Sequence, residues 1–256
     1  MSLLERTKEI VLQAGEILIS KMESGFTITK KGSIDLVTDA DQAVEAFLIE
    51  RLTREFPGSA FYAEEQGWVE GEQGAGVWII DPIDGTTNFA HGFPYFSISV
   101  ALARGGETVL GIVYNPVWRE WFTAEKGKGA YRCGRPIRVS ATSDLQNSLL
   151  VTGFPYDIKT TTADNMPEFA RATRLTQGVR RTGSAALDLC NVACGRFDGY
   201  WEQNINLWDV AAGALILEEA GGRITDFYGK PLTTKVEHVL ATNGLIHDEL
   251  FNVLHE

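Results

Sequence analysis

Helical and strand-like segments that follow one another in blocks, instead of one helix after every strand, predict an α+β fold for this chain of 256 residues. Two observations carry the expectation. Two long amphipathic segments, 3–23 and 39–56, open the chain back to back. Strand-like segments at 77–81, 96–104, 108–114 and 119–124 then follow with tight turns at Gly105-Gly106 and Asn115-Pro116. Turns that short join antiparallel neighbours, because parallel strands need a long crossover.

The first segment begins Met1-Ser2-Leu3-Leu4-Glu5-Arg6 and stops near Ser24-Gly25; it is too acidic and too interrupted for a signal peptide. After the loop Gly25 to Ser33, Val37-Thr38-Asp39-Ala40-Asp41 opens a helix whose apolar positions Val44, Phe47, Leu48 and Leu52 recur at helical spacing. Ala60-Phe61-Tyr62 has strand-like composition and leads into Ala63-Glu64-Glu65-Gln66-Gly67, and Val77-Trp78-Ile79-Ile80 is a buried strand. Gly127-Lys128-Gly129-Ala130-Tyr131 starts like a nucleotide loop. It lacks a third glycine and precedes Arg135-Pro136-Ile137-Arg138-Val139, no helix, so it reads as a hairpin turn. Further strands are expected at 148–152 and 197–201, and helices at 163–174, 184–194, 208–220 and 245–254. The helix opened by Leu207-Trp208-Asp209-Val210-Ala211-Ala212 runs through Leu215, Ile216 and Leu217 to the stop Gly221-Gly222.

Composition bounds the function. With 44% hydrophobic and 22% charged residues the chain can bury a substantial core in one compact unit. A net charge of −11 without a Lys/Arg cluster interleaved with aromatics argues against a nucleic-acid surface. No apolar run approaches the roughly 18 residues of a membrane span. Cys133, Cys190 and Cys194 cannot all pair, and Cys190 and Cys194, four apart on an expected helix, read as small buried hydrophobes in a reducing cytoplasm. His91, His238, His247 and His255 form no spaced ligand set, so zinc lacks support. Trp118 and Trp121 flank Arg119-Glu120 with the period of a strand or turn, which suits an interface as well as a core.

The chemistry is concentrated in Asp81-Pro82-Ile83-Asp84-Gly85-Thr86-Thr87-Asn88-Phe89. Two carboxylates leave a buried strand, separated by a proline that stiffens the backbone and followed by a glycine that permits a sharp turn. Such a bend can offer the Asp81 side chain, the Ile83 carbonyl and the Asp84 side chain to one small volume, and oxygen-only ligands are what Mg²⁺ takes. An EF-hand is excluded, since counting from Asp81 puts Ile83, Gly85 and Gly92 at its third, fifth and twelfth positions. An aspartyl-phosphate enzyme is disfavoured because the position two after Asp81 is Ile83. The competing reading is an ordinary turn, with Asn88 as a local cap. Glu64, Asp41 and Asp209 lie at the ends of other elements, where a capping role alone would account for a single acid. If Glu64, Asp81, Asp84 and Asp209 converged at about 4 to 5 Å, each pair would repel by a few kcal/mol at an effective dielectric near 20. Protonation or divalent cations would then have to neutralise them.

These residues resemble the inositol monophosphatase-like family of magnesium-dependent, lithium-sensitive phosphatases. The resemblance runs from Lys30 to Asp226 and is anchored on Glu64-Glu65, Asp81 to Phe89, Gly183-Ser184-Ala185-Ala186, Trp208-Asp209-Val210-Ala211-Ala212 and Glu219-Ala220-Gly221-Gly222. It implies a layered αβαβα sandwich, with an N-terminal half to about 145 and a C-terminal half, about 146–256, that supplies Asp209 across the cleft. It implies two or three Mg²⁺ ions on Glu64, Asp81, the Ile83 carbonyl, Asp84 and Asp209. Asp41 and Thr86 match the pair that orients or activates the attacking water, with Glu64 assisting. Gly85 and Thr86 match the loop whose N–H groups hold phosphate, and Gly183, Ser184, Ala185, Glu202 and Asp209 match substrate contacts. Ser184 stands where many members carry threonine, which keeps the hydroxyl. Lys30 matches a lysine near the N-terminal loop, and the segment His91 to Phe96 is expected to support the site. The implied activity is direct hydrolysis of a phosphate monoester without a phosphoenzyme, inositol 1-phosphate foremost, in a cytoplasmic homodimer that binds neither membrane nor nucleic acid directly. Fructose 1,6-bisphosphate, histidinol phosphate and other sugar phosphates are the alternative substrates, with Glu202 and the loop 153–160 setting the choice. A different class stays open: some bacterial relatives resemble adaptors that bind the transcription machinery.

Overall fold

The computed structural model describes residues 1–30, 36–155, 157–233 and 236–256, with the backbone but not the side chain of Lys30. The Lys30 side chain, the end of the expected loop Gly25 to Ser33, and Tyr156 in the loop 153–160 thus lie outside the described residues. In chain order the elements are α1 (Leu3–Ser24), β1 (Ile28–Lys30), β2 (Leu36–Thr38), α2 (Asp39–Glu55), β3 (Ala60–Ala63), β4 (Gly67–Val69), β5 (Val77–Asp84), α3 (Thr86–Ala90), β6 (Ser97–Arg104), β7 (Glu107–Asn115), β8 (Glu120–Glu125), β9 (Ala130–Arg132) and β10 (Arg135–Pro136). They continue with β11 (Leu149–Thr152), α4 (Met166–Leu175), β12 (Gly178–Arg180), α5 (Ala185–Ala193), β13 (Gly199–Gln203), α6 (Leu207–Glu219), β14 (Arg223–Thr225), β15 (His238–Thr242) and α7 (His247–His255).

Two large sheets organise the molecule. The first has the order β10-β9-β8-β7-β6-β5-β3-β4 and is antiparallel except for the pair β3/β5. The second has the order β12-β11-β13-β15-β14, with β11 parallel to both of its neighbours. Alternation along β5 and its partners sends side chains to opposite faces. Trp78, Ile80, Val100 and Ile112 pack with Val11, Leu18, Val44 and Leu48 of α1 and α2. Ile79, Ala101, Val113 and Phe122 pack instead with Leu189, Val192, Val210 and Ile216 of α5 and α6. The other face of that helical layer meets Val151, Tyr200, Val239 and Ala241 of the second sheet. Leu150, Trp201 and Leu240 turn outward to Ala172 of α4 and Leu250 and Leu254 of α7. The result is the five-layer αβαβα arrangement, α+β in class. Among the described residues no helix is long and apolar enough to cross a membrane.

Three departures from the sequence reading have physical causes. Val37 and Thr38 belong to β2, and α2 begins at Asp39 because Thr38 is its N-cap. Short strands β12, β14 and β15 were not expected; they are fixed by pairing across the second sheet and not by their own patterning. Strand β5 continues beyond 81 to Asp84, through a register break against β6 in which Asp81 pairs with Ser99 and Asp84 with Ser97. The extra residue is a bulge, which tolerates Pro82 because its missing N–H would otherwise leave a gap in the ladder. It also turns Ile80 and Ile83 to the same core despite their spacing of three.

The helix that carries Asp209 is seated by a glycine. A Cβ on Gly111 of β7 would come within 2.7 Å of the Ala212 carbonyl oxygen of α6, so the strand and helix meet backbone to backbone. Gly111→Ala is expected to cost about 1–3 kcal/mol by overpacking. Urea denaturation measures this, and a stability equal to that of the wild type would show that the close approach is not a constraint.

Candidate active site

The bulge at the end of β5 builds the centre of the site. Asp81, Asp84 and Asp209 each offer a carboxylate oxygen within 4.8 Å of the others. Asp81 and Asp84 are buried, and Asp209 is partly so. The Ile83 N–H donates to Asp81 Oδ1 at 3.0 Å, which folds the bulge back on its own acid. Gly85 follows with φ of 99°, and a Cβ there would sit 2.9 Å from the Gly183 carbonyl oxygen. Only glycine suits both demands.

Asp84, Asp209 and Asp41 are each held at a helix start. Asp84 Oδ2 accepts from the Ser184 hydroxyl at 2.5 Å and the Ala186 N–H at 2.8 Å, and Oδ1 accepts from the Ala185 N–H at 3.1 Å. The carboxylate therefore caps α5 from another element. Asp209 is the third residue of α6, and its Oδ2 accepts the Asn206 N–H at 2.7 Å. Asp41 occupies the same place in α2, where its Oδ2 accepts from the Thr38 N–H and hydroxyl at 2.7 and 2.6 Å. Its Oδ1 faces Thr86, whose hydroxyl lies 3.2 Å from that oxygen and 3.0 Å from the Ile83 carbonyl oxygen.

The electrostatics follow from enclosure. Burial, then the charges of Glu64, Asp84 and Asp209, push the Asp81 carboxyl well above its ordinary range. Burial and then the Asp84 charge do the same to Asp209. Asp84 is raised by burial to only about 6, because Ser184, Ala186, Ala185 and Ser97 donate to it. Burial raises Asp41 to about 6 and Glu202 to about 7, against hydrogen bonds from Thr38 and from Tyr200 respectively.

The remaining expected residues are distributed around this centre. Asp84, Gly85, Gly183, Ser184, Ala185, Glu202 and Asp209 line one cavity, together with Arg181, Asn204 and Phe154. Glu64, whose N–H donates to the Ile80 carbonyl at 3.2 Å, follows β3, and its charge acts on Asp81 and Asp209. Asn88 is not merely a local cap: its Nδ2 donates to the Tyr95 and Thr182 carbonyls at 2.6 and 2.8 Å, tying the bulge loop to the start of α5. Tyr95 and Phe96 pack beneath this loop, as support requires.

Several residues of the site escaped the sequence reading. Glu45 of α2 accepts the N–H groups of Glu65 and Gln66, each at 2.8 Å, and so fixes the turn after Glu64. Asp188, buried at the cavity floor, accepts from the Tyr95 hydroxyl at 2.7 Å and from the Thr182 hydroxyl. A helical acid inside a mostly apolar stretch, Ala185 to Ala193, was the available signal for Asp188.

Residues 2–256 match the model of the inositol monophosphatase family. An inositol-1-monophosphatase of Synechocystis sp. is 48% identical over 98% of this chain and 88% of its own length. A Pseudomonas aeruginosa protein named Nus factor SuhB is 40% identical over 90% of this chain and 87% of its own length. The solved structure of an inositol monophosphatase from Anabaena (Nostoc) sp. superposes with a TM-score of 0.89 at 45% identity, covering 98% of this chain and 94% of that one. Fold, acid cluster and relatedness over nearly the full length agree: this chain belongs to the inositol monophosphatase family and is a phosphoric monoester hydrolase.

Proposed function

We propose that the chain hydrolyses inositol 1-phosphate to inositol and phosphate in the presence of Mg²⁺, by direct attack of water and without a phosphoenzyme. The observation that carries the reading is the triangle of Asp81, Asp84 and Asp209. At 4.8 Å an ionised pair repels by about 3 to 4 kcal/mol at an effective dielectric of 20. The donor set fits a hard divalent cation, being all oxygen and backed by hydrogen bonds from helix starts. Glu64, Asp81, the Ile83 carbonyl, Asp84 and Asp209 are the proposed ligands of two or three ions. Bound there, Mg²⁺ would supply Lewis-acid stabilisation of the charge that develops on the phosphoryl and leaving oxygens.

The chain's own groups do the rest. The Thr86 hydroxyl, held between Asp41 Oδ1 and the Ile83 carbonyl, accepts a hydrogen bond from the attacking water and fixes its direction. As the new O–P bond forms, the water proton passes to the Thr86 oxygen while the Thr86 proton moves to Asp41, whose pKa of about 6 suits an acceptor near neutral pH. Glu64 is the second acceptor. Backbone N–H groups of Gly85 and Thr86 hold the phosphate, and Gly183, Ser184, Ala185, Glu202 and Asp209 orient the alcohol. The departing alkoxide takes a proton from solvent. Fructose 1,6-bisphosphate and histidinol phosphate are the nearest competing substrates. We place this activity in a single unit of two halves that acts as a cytoplasmic homodimer.

The name Nus factor SuhB, borne by the Pseudomonas aeruginosa relative, favours a second reading as an adaptor of the transcription machinery. The intact acid set argues for the enzyme, because an adaptor alone has no use for it. A pull-down of RNA polymerase by the catalytically dead chain would support the adaptor role.

With Mg²⁺ and inositol 1-phosphate, Asp84→Asn and Asp209→Asn are each expected to lower kcat/KM by about a hundredfold or more. Wild-type rates in either variant would reject the ligand assignment. In a panel of phosphate monoesters inositol 1-phosphate should be turned over fastest, and added lithium should inhibit; a better sugar phosphate would reassign the substrate.

Stability should report the same cluster. The Asp84 carboxyl titrates near 6 when folded and near ~4 when unfolded, so between those values the native state binds more protons. Its contribution is present below pH ~4 and is lost as pH rises through about 6. The Tm of the metal-free wild type should therefore fall relative to Asp84→Asn across this window, and Mg²⁺ should raise the wild-type Tm more at pH 8 than at pH 5. A pH-independent Tm difference between the two proteins would sink this expectation.

A further inference from the structure

Glu202 reaches the cavity from β13 through an unusual opening in the wall. Its strand runs parallel to β11, with Thr152 opposite Trp201, so Gly153 is the next residue along and faces the Glu202 side chain. A Cβ built on Gly153 would fall onto the Glu202 carboxylate. The acid thus lies against bare backbone, in space that any other residue at 153 would fill. On its other side Glu202 Oε2 accepts from the Tyr200 hydroxyl at 2.6 Å, and Tyr200 is fully buried.

The two strand ends that make this slot are locked together. Asn165, buried and in the left-handed region at φ of 64°, donates from Nδ2 to the Gly153 carbonyl at 2.6 Å and to the Thr152 hydroxyl at 2.8 Å. Its Oδ1 accepts from Trp201 Nε1 at 2.6 Å, and the Thr152 hydroxyl lies 2.6 Å from the Trp201 carbonyl. A flexible glutamate is thereby given one seat. Rigid placement of an acceptor is what lets a site discriminate a hydroxylated ligand from one that lacks the hydroxyl.

We propose that Gly153 and Tyr200 are positioning residues that seat the Glu202 carboxylate, and that the enzyme selects polyhydroxylated alcohols over bare ones through the acceptor so held. The inference rests on the reading above that Glu202 contacts the alcohol part of the substrate. It adds that selectivity belongs to the seat as much as to the acid.

The test compares kcat/KM for inositol 1-phosphate with that for cyclohexyl phosphate, the same ring without its hydroxyls, in the full chain with Mg²⁺. Gly153→Ala and the milder Tyr200→Phe are each expected to lower the ratio by about tenfold to a hundredfold, chiefly through KM for inositol 1-phosphate, with cyclohexyl phosphate turnover kept within about twofold. In a Glu202→Ala background neither change should lower the ratio further. A ratio that Glu202→Ala collapses but Gly153→Ala and Tyr200→Phe leave intact would overturn the seat alone. Equal losses on both substrates, or a further drop without Glu202, would reduce the pair to structural residues. A ratio unmoved by Glu202→Ala would overturn the substrate contact itself and the seat with it.

Discussion

Like charges do not share a buried space without compensation, and the site of this protein is built around that constraint. Asp81, Asp84 and Asp209 lie within 4.8 Å of one another. The fold meets part of the cost with backbone: Asp84 accepts N–H groups at the start of α5, and Asp209 accepts one at the start of α6. Helix N-termini carry partial positive charge and unfilled donors, so acids placed there are favoured over the same acids elsewhere. The compensation is incomplete, as the raised carboxyls of Asp81 and Asp209 show. What remains is an attraction for cations.

A cap and a functional acid are usually weighed as rivals, yet the geometry of Asp41 and Asp209 leaves room for both. A carboxylate has two oxygens. In Asp41 one of them closes the capping box with Thr38 and the other meets the Thr86 hydroxyl. In Asp209 one accepts the Asn206 N–H, and the carboxylate still joins the triangle. Capping fixes the side chain's direction before any ligand arrives, which is the precondition for accurate chemistry.

This explains what could be read from the chain and what could not. Asp81 to Phe89 was legible because its geometry is local: proline, glycine and two acids in nine residues. The long helices and the antiparallel meander were legible for the same reason. The bulge itself was not, since a register break exists only between β5 and β6. Asn165 and Tyr200 gave no local signal, because their meaning lies in partners on other strands. Glu64 was expected among the four converging acids, and its charge is the strongest of the neighbouring charges on Asp81; its turn is held by Glu45, a residue inside a helix that periodicity alone would assign to solvent or core.

The first turn of α5 ties these parts into one mechanical unit. Asp84 holds its N–H groups from outside the helix, while Asp188, one turn further in, accepts from the Thr182 hydroxyl just before it. Asn88 grips the Thr182 carbonyl between them. Asp188 carries its own burial cost, offset first by the Thr182 hydroxyl and then by the Tyr95 hydroxyl, which in turn accepts from Asn191 Nδ2 at 2.8 Å. The loop that bends β5 and the helix that closes the cavity therefore cannot shift independently. Any change of charge at Asp84 is felt at Ser184 and Ala185, which line the same cavity, so the charge of the acid cluster and the shape of the cavity wall are linked through a single carboxylate.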